Sequence, residues 1–97
     1  MYIKVVYINR EVKYMSKKKK LISRLLSKPK DFSYKEAATL LNLSGYILAN
    51  SGKTSGSRVS FVRGNKVFRL HKPHPRNELL SYQINELINE LEQEGLL

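Results

Sequence analysis

The 97-residue chain carries 18 lysines and arginines against eight aspartates and glutamates, a net charge of +10. This length suits one domain with a modest core and excludes a nucleotide-binding domain joined to a separate substrate domain. With no cysteine, the chain has neither disulfides nor thiolate metal sites, and we expect no metal and no cofactor. No apolar run approaches the roughly 18 residues of a membrane helix, and the first ten residues lack a secretory cleavage pattern. We therefore expect a cytoplasmic protein with no membrane partner.

The charge is distributed unevenly along the chain. All 18 basic residues lie between Lys4 and Arg76, and only three acidic residues lie before residue 78, so residues 1–77 carry +15. Residues 78–97 hold five glutamates and no base, a charge of −5. A basic body attracts a polyanion, most often nucleic acid, although the same field would attract an acidic protein. An ordinary basic surface is the alternative interpretation.

Two helices are predicted in the first half of the chain, after a short strand over residues 2–8. Met15 is a plausible chain start, so residues 1–14 are interpreted as an N-terminal extension and 15–97 as the domain. The first helix spans 16–27, with Ser16 as its cap and Pro29 beyond its end. The second begins at Ser33, which forms a capping box with Glu36.

Three strands and a last helix are predicted in the second half. The strands cover 46–50, 58–63 and 66–71, with a two-residue turn between the last two. The helix covers 81–94, buries one apolar face and ends at Gly95. Glu86 and Glu90 are assigned to its solvent-facing side. The predicted fold class is α+β, a three-stranded antiparallel sheet with helices on one face and an open second face.

The loop over residues 51–57 is a candidate phosphate-binding segment. It is not a nucleotide-binding P-loop, because Ile47 stands where that motif needs a glycine and a strand follows instead of a helix. The alternative is a flexible connector. Its candidate RNA-binding residues are Lys53, Thr54, Ser55 and Ser57.

Four consecutive lysines open the first predicted helix. Cations at a helix N-terminus oppose the helix dipole, so the run is not explained by helix stability. Lys17 and Lys18 are therefore candidate RNA contacts, and the alternative is a solvated tail.

His71 and His74 are the only histidines, at the exit of the third predicted strand. A histidine can deprotonate a ribose 2′-hydroxyl or protonate a leaving 5′-oxygen at neutral pH. Two histidines are too few for a typical zinc site. The alternative is that one or both are surface loop residues.

Residues 34–44 are similar to the first helix of an excisionase-type helix-turn-helix. A recognition helix should follow such a turn, whereas a β-rich segment and a glycine loop follow here. Sequence-specific DNA binding is therefore the second choice.

From residue 45 onward the chain resembles the HicA family of toxin ribonucleases. In that family a Gly-Phe pair and a strand precede a Gly-Ser-His motif that carries the catalytic histidine, and a third strand leads to a His-Pro turn and a last helix. The resemblance implies a double-stranded-RNA-binding-domain-like fold, cleavage of mRNA and a HicB-type antitoxin partner; residues 29–42 look like an insertion. The matching segments are Gly45-Tyr46, Gly56-Ser57-Arg58, His74-Pro75, Glu78-Leu79 and Gly95-Leu96-Leu97.

The chain departs from the family at the catalytic position, which holds Arg58. Arginine stays protonated and is a poor general base. The two-residue turn predicts that Arg58 lies directly opposite His71, with Cβ atoms about 5 Å apart. We expect a divided site in which Arg58 holds the phosphate and His71 moves the proton, assisted by His74 or Lys72. The competing hypothesis is a non-catalytic module that binds RNA or DNA.

Overall fold

A computed structural model of the protein describes residues 16–49 and 58–97. The strand predicted over 2–8 and the loop over 51–57, with Lys53, Thr54, Ser55 and Ser57, lie outside the described residues. In the described residues two helices, three strands and a last helix follow one another, which is the predicted α+β order. The elements are α1 (Lys17–Leu26), α2 (Tyr34–Leu43), β1 (Ile47–Leu48), β2 (Arg58–Arg63), β3 (Lys66–His71) and α3 (Ser81–Gln93). Within these two ranges, every helix is too short or too polar to cross a bilayer.

The N-termini of α1 and α2 are capped as the sequence predicts. Ser16 Oγ accepts a hydrogen bond from the amide of Lys19 at 3.1 Å. The hydroxyl of Ser33 accepts from the amide of Glu36 at 3.0 Å, and the Glu36 carboxylate accepts from the amide of Ser33 at 2.9 Å. This reciprocal pair is the predicted capping box, and it satisfies two N–H groups that have no partner within the helix.

An arginine on α1 holds the α1–α2 connection. Arg24 donates to Glu36 at 3.0 Å and to Asp31 at 3.2 Å. Its guanidinium also lies 5.6 Å from the ring centre of Phe32, which is fully buried. The two helices are therefore joined by charge-assisted hydrogen bonds around an aromatic anchor.

The sheet has the order β1-β2-β3, and both pairs are antiparallel. β2 and β3 have the predicted bounds, and the predicted Gly64-Asn65 turn joins them, with Gly64 at φ 59°. That positive φ is the conformation a two-residue hairpin turn demands. Among the described residues, β1 pairs with β2 through Ile47 and Leu48, and Ala49 donates one further hydrogen bond to the carbonyl of Ser60. Tyr46, the first residue of the predicted strand, precedes β1, and residue 50, the last, lies outside the described residues.

The helices cover one face of the sheet, as predicted. That face presents Val59, Phe61, Phe68 and Leu70, all buried. The predicted insertion, residues 29–42, is an integral part of this core. Its buried residues are Phe32, Ala37, Leu40 and Leu41, and those of α3 include Ile84, Leu87 and Leu91.

The prediction that Glu90 faces solvent is wrong. Glu90 is only 9% exposed, and its carboxylate accepts a hydrogen bond from the hydroxyl of Tyr46, itself 1% exposed. Burial is the main cause that raises the pKa of Tyr46, and the hydrogen bond to the neighbouring Glu90 carboxylate raises it further. One turn later, Glu94 pairs with Arg63 at 2.9 Å and Lys66 at 3.7 Å. Carboxylates near the C-terminal end of α3 thus bind Tyr46 and the β2–β3 hairpin, whereas Glu86 is exposed as predicted.

Candidate nucleic-acid interface

The second face of the sheet, here called the outer sheet face, is not covered by the described helices. Antiparallel register places side chains from the three strands in rows across it. The first row joins Ile47, Val62 and Val67. Ile47 is 71% exposed and Val67 46% exposed, so the row is an apolar strip open to solvent.

The rows nearer the end of β3 are polar and basic. Ser60 pairs with Arg69, and Arg58 pairs with His71. Arg69 and His71 are exposed. The predicted opposition of Arg58 and His71 is thus confirmed at the level of strand register. The imidazole of His71 lies at a solvent-accessible edge of the sheet.

The chain leaving β3, here called the strand exit, covers residues 72–77 and is irregular as predicted. It is held against the start of α2. The Lys72 ammonium lies 5.5 Å from the ring centre of Tyr34, and the amide of Tyr34 donates to the carbonyl of Asn77 at 2.8 Å. Burial raises the pKa of the Tyr34 hydroxyl. His74 is exposed beyond this anchor. His71 at the end of β3 and Lys72 and His74 of the strand exit therefore fall within four consecutive residues.

A buried glutamine, which the sequence analysis missed, connects this region to α3. Gln83 is 4% exposed; its Nε2 donates to the carbonyl of His71 at 2.9 Å and its Oε1 accepts from the amide of Leu80 at 2.9 Å. One side chain therefore sets the end of β3 against the start of α3. The available signal was its spacing of four residues from Leu87 and eight from Leu91, which places Gln83 on the buried side of α3.

A groove opens between the end of α1 and the start of α3, with a volume of about 310 Å³. Among the described residues, no carboxylate lines it. Its cationic lining consists of Lys28, Lys30 and Arg76, and its apolar lining includes Pro29, Leu79 and Leu80. Arg76 belongs to the strand exit, so this groove, here called the basic groove, adjoins the chain that leaves β3.

The remaining candidate residues are not assembled there. Lys17 and Lys18 lie at the opposite end of α1 from the groove, about 15 Å along a ten-residue helix. Within residues 16–49 and 58–97, no three His, Asp or Glu side chains form a group that could hold a metal ion. The element after α2 is β1, so the excisionase-like interpretation lacks the recognition helix it requires.

Comparisons of the chain with protein-family models, with curated proteins and with solved structures found no match.

Proposed function

We propose that the protein is a cytoplasmic toxin that binds mRNA and cleaves it as a metal-independent endoribonuclease, as its resemblance to the HicA family implies. The observation that carries this proposal is the pairing of Arg58 with His71 at the edge of an open, basic sheet face. The antiparallel sheet with helices on one face supports a double-stranded-RNA-binding-domain-like fold, to which α2 adds a further helix.

The proposed reaction is attack of a ribose 2′-oxygen on the adjacent phosphorus. His71 carries out one of the two proton transfers, removal of the 2′-hydroxyl proton or delivery of a proton to the departing 5′-oxygen, and His74 or Lys72 carries out the other. The P–O5′ bond breaks as the new P–O2′ bond forms, which leaves a 2′,3′-cyclic phosphate and a 5′-hydroxyl. Arg58 supplies a permanent positive charge for the phosphate as charge builds on its oxygens.

The partner we propose is an acidic antitoxin of the HicB type. The net charge of +10 and the cationic strand exit supply the attraction for such a protein. The same surface would bind RNA, so antitoxin and RNA should compete. Titration of the antitoxin into a protein–RNA complex should release the RNA.

A second candidate is an RNA- or DNA-binding module without catalysis. It is favoured by the one clear departure from the family, an arginine where the family has its catalytic histidine. Arginine can hold a phosphate but cannot serve as the base.

Incubation of the purified protein with mRNA in EDTA separates these candidates. Fragments that end in a 2′,3′-cyclic phosphate support the endoribonuclease. Intact RNA that nevertheless migrates as a complex supports the binding module. Absence of both cleavage and binding contradicts the proposal.

A further inference from the structure

The basic groove has the size and lining of a small ligand site. Ligand pockets begin at about 300 Å³ and combine apolar surface with a few convergent polar groups. This groove has a volume of about 310 Å³, three cationic side chains and an apolar lining. We infer that the basic groove is a nucleotide subsite that holds one phosphate and the adjoining base of the bound RNA, apart from the His71 centre. The inference rests on the proposed function, because it names a second contact of the same RNA.

The charges at the groove favour an anion. In the part of the chain that the structure describes, Lys28 and Lys30 form no ion pair. Arg76 pairs with Glu78 at 3.3 Å, but both side chains are exposed, and such pairs contribute little. A phosphate can therefore recruit all three cations without displacing a buried partner.

Two residues of the groove occupy backbone positions where their type is unfavourable. Lys28 has a φ of 52°, in the left-handed region that glycine prefers, and it precedes Pro29. Leu80 is the N-cap of α3, a position that favours serine, threonine, asparagine or aspartate, and it has no side-chain oxygen to bond the helix. Both residues therefore weaken the local fold.

Both unfavourable residues line the same cavity, which indicates a role there. Residues that violate the backbone or helix-capping preferences of their position concentrate at functional sites. The lysine supplies a charge that glycine lacks. The leucine is 54% exposed and, with Pro29, supplies apolar surface that a serine would remove and on which a base can pack.

The groove lies within reach of an RNA strand held at His71. Arg76 follows His71 by five residues, so their Cα atoms are separated by at most about 18 Å. A strand of a few nucleotides spans that distance. The subsite would thus bind the RNA to one side of the scissile phosphate and contribute to the choice of cleavage position.

The test compares Lys28→Gly and Leu80→Ser with the wild-type protein. Binding is measured by fluorescence anisotropy with a labelled single-stranded RNA decamer whose riboses are 2′-O-methylated, which prevents cleavage. We expect Lys28→Gly to raise the Tm by about 4–8 °C and Leu80→Ser to raise it by about 2–8 °C. Both should nevertheless weaken RNA binding by about threefold or more, and Lys28→Gly should reduce the salt slope by about 0.7.

Lys35→Gln is the matched control for charge, because Lys35 is an exposed lysine outside the groove. It should leave the salt slope close to that of the wild type. Groove variants that gain stability and bind RNA with wild-type affinity would overturn the nucleotide subsite. A wild-type protein that does not bind the decamer at all would instead overturn the proposed function, so the two failures are distinguishable.

Discussion

The side-chain amide of Gln83 donates a hydrogen bond to the backbone carbonyl of His71 at 2.9 Å. The same amide accepts from Leu80, so one buried residue fastens the end of β3 to the first turn of α3. His71 is exposed, yet its backbone is held from the protein interior. Gln83 is therefore a positioning residue for the proposed catalytic histidine.

Replacement of Gln83 by glutamate should make stability depend on pH. The carboxylate can still accept from Leu80, but in its charged form it places an oxygen against the carbonyl of His71. Burial raises the pKa of such a carboxyl in the folded protein above its unfolded value of about 4.3. The stability that the neutral carboxyl contributes is therefore fully present below the unfolded pKa and is lost as the pH rises through the folded pKa. Gln83→Glu should cost about 1–3 kcal/mol at pH 7 and less at pH 4.

Urea denaturation at the two pH values measures this effect. Gln93→Glu is the control, because Gln93 is exposed at the end of the same helix. If Gln83 positions His71, cleavage by Gln83→Glu should also recover as the pH falls, relative to the pH profile of the wild type. Equal destabilisation of both variants at both pH values would contradict this role.

The capping box of α2 should make the fold sensitive to acid. Burial opposes ionisation of Glu36, but hydrogen bonds from Arg24 and the backbone of Ser33 outweigh it, so the pKa of Glu36 is lowered. A lowered folded pKa contributes stability that is present above the unfolded pKa and is lost as pH falls through the folded value. Thermal melts below about pH 4.3, the usual glutamate value, should show this loss.

Glu36→Gln retains an acceptor for the Ser33 amide but removes the charge, so it should flatten the acid dependence. Glu36→Ala also removes the acceptor for the Ser33 amide and should cost about 1–2 kcal/mol at pH 7. A wild-type acid profile in Glu36→Gln would show that the Arg24 pair does not contribute.

The hydrogen bond between Tyr46 and Glu90 should be visible as non-additivity. Tyr46→Phe leaves the Glu90 carboxylate, 9% exposed, without that donor and should cost about 1–3 kcal/mol. Addition of Glu90→Leu should recover much of the loss, because both members of the buried polar pair are then apolar. Tyr82→Phe, at a 57% exposed tyrosine, should change stability by less than about 0.5 kcal/mol. Additive effects in a denaturation cycle would contradict the coupling.

The local parts of this fold were predictable because short-range rules determine them. Ser33 and Glu36 form a cap three residues apart, and the alternation of β2 with the Gly64-Asn65 turn determines the register that pairs Arg58 with His71. A register slip of one residue would turn Phe61 out of the core.

The missed features all depend on which distant segments meet. Glu90 is buried because Tyr46, 44 residues earlier, reaches its carboxylate, and helical periodicity alone could not show that. Gln83 gains its role from His71, and the basic groove forms where the segment after α1 meets the start of α3, with Lys28 and Leu80 both in its lining. Cleavage of RNA, the antitoxin and the phosphate contacts of residues 51–57 stay predictions.

RNA binding should weaken steeply with salt. If the basic surface neutralises about five phosphates, the slope of log affinity against log salt should be about −3 to −4 for single strands. Anisotropy titrations between about 50 and 200 mM salt cover the relevant range. A slope near zero would remove the electrostatic basis of the proposed RNA binding.

Arg58 and His71 pair across β2 and β3 at the edge of the outer sheet face. If His71 moves the proton, His71→Ala should lower cleavage by about 10²-fold or more. Arg58→Ala should also impair cleavage, and Arg58→Lys should not fully restore it, because lysine lacks the planar fork that binds a phosphate through two parallel hydrogen bonds.

Arg69→Gln is the matched control for this pair, since it removes a cation from the neighbouring row of the same face. It should weaken RNA binding slightly and leave the rate at saturating RNA nearly unchanged. Because groups that act in one step are not additive, the Arg58→Ala, His71→Ala double variant should be little worse than the more damaging single variant. Full cleavage by that double variant, with wild-type stability and RNA affinity, would exclude the pair as the catalytic centre and leave the cationic surface as a binding site alone.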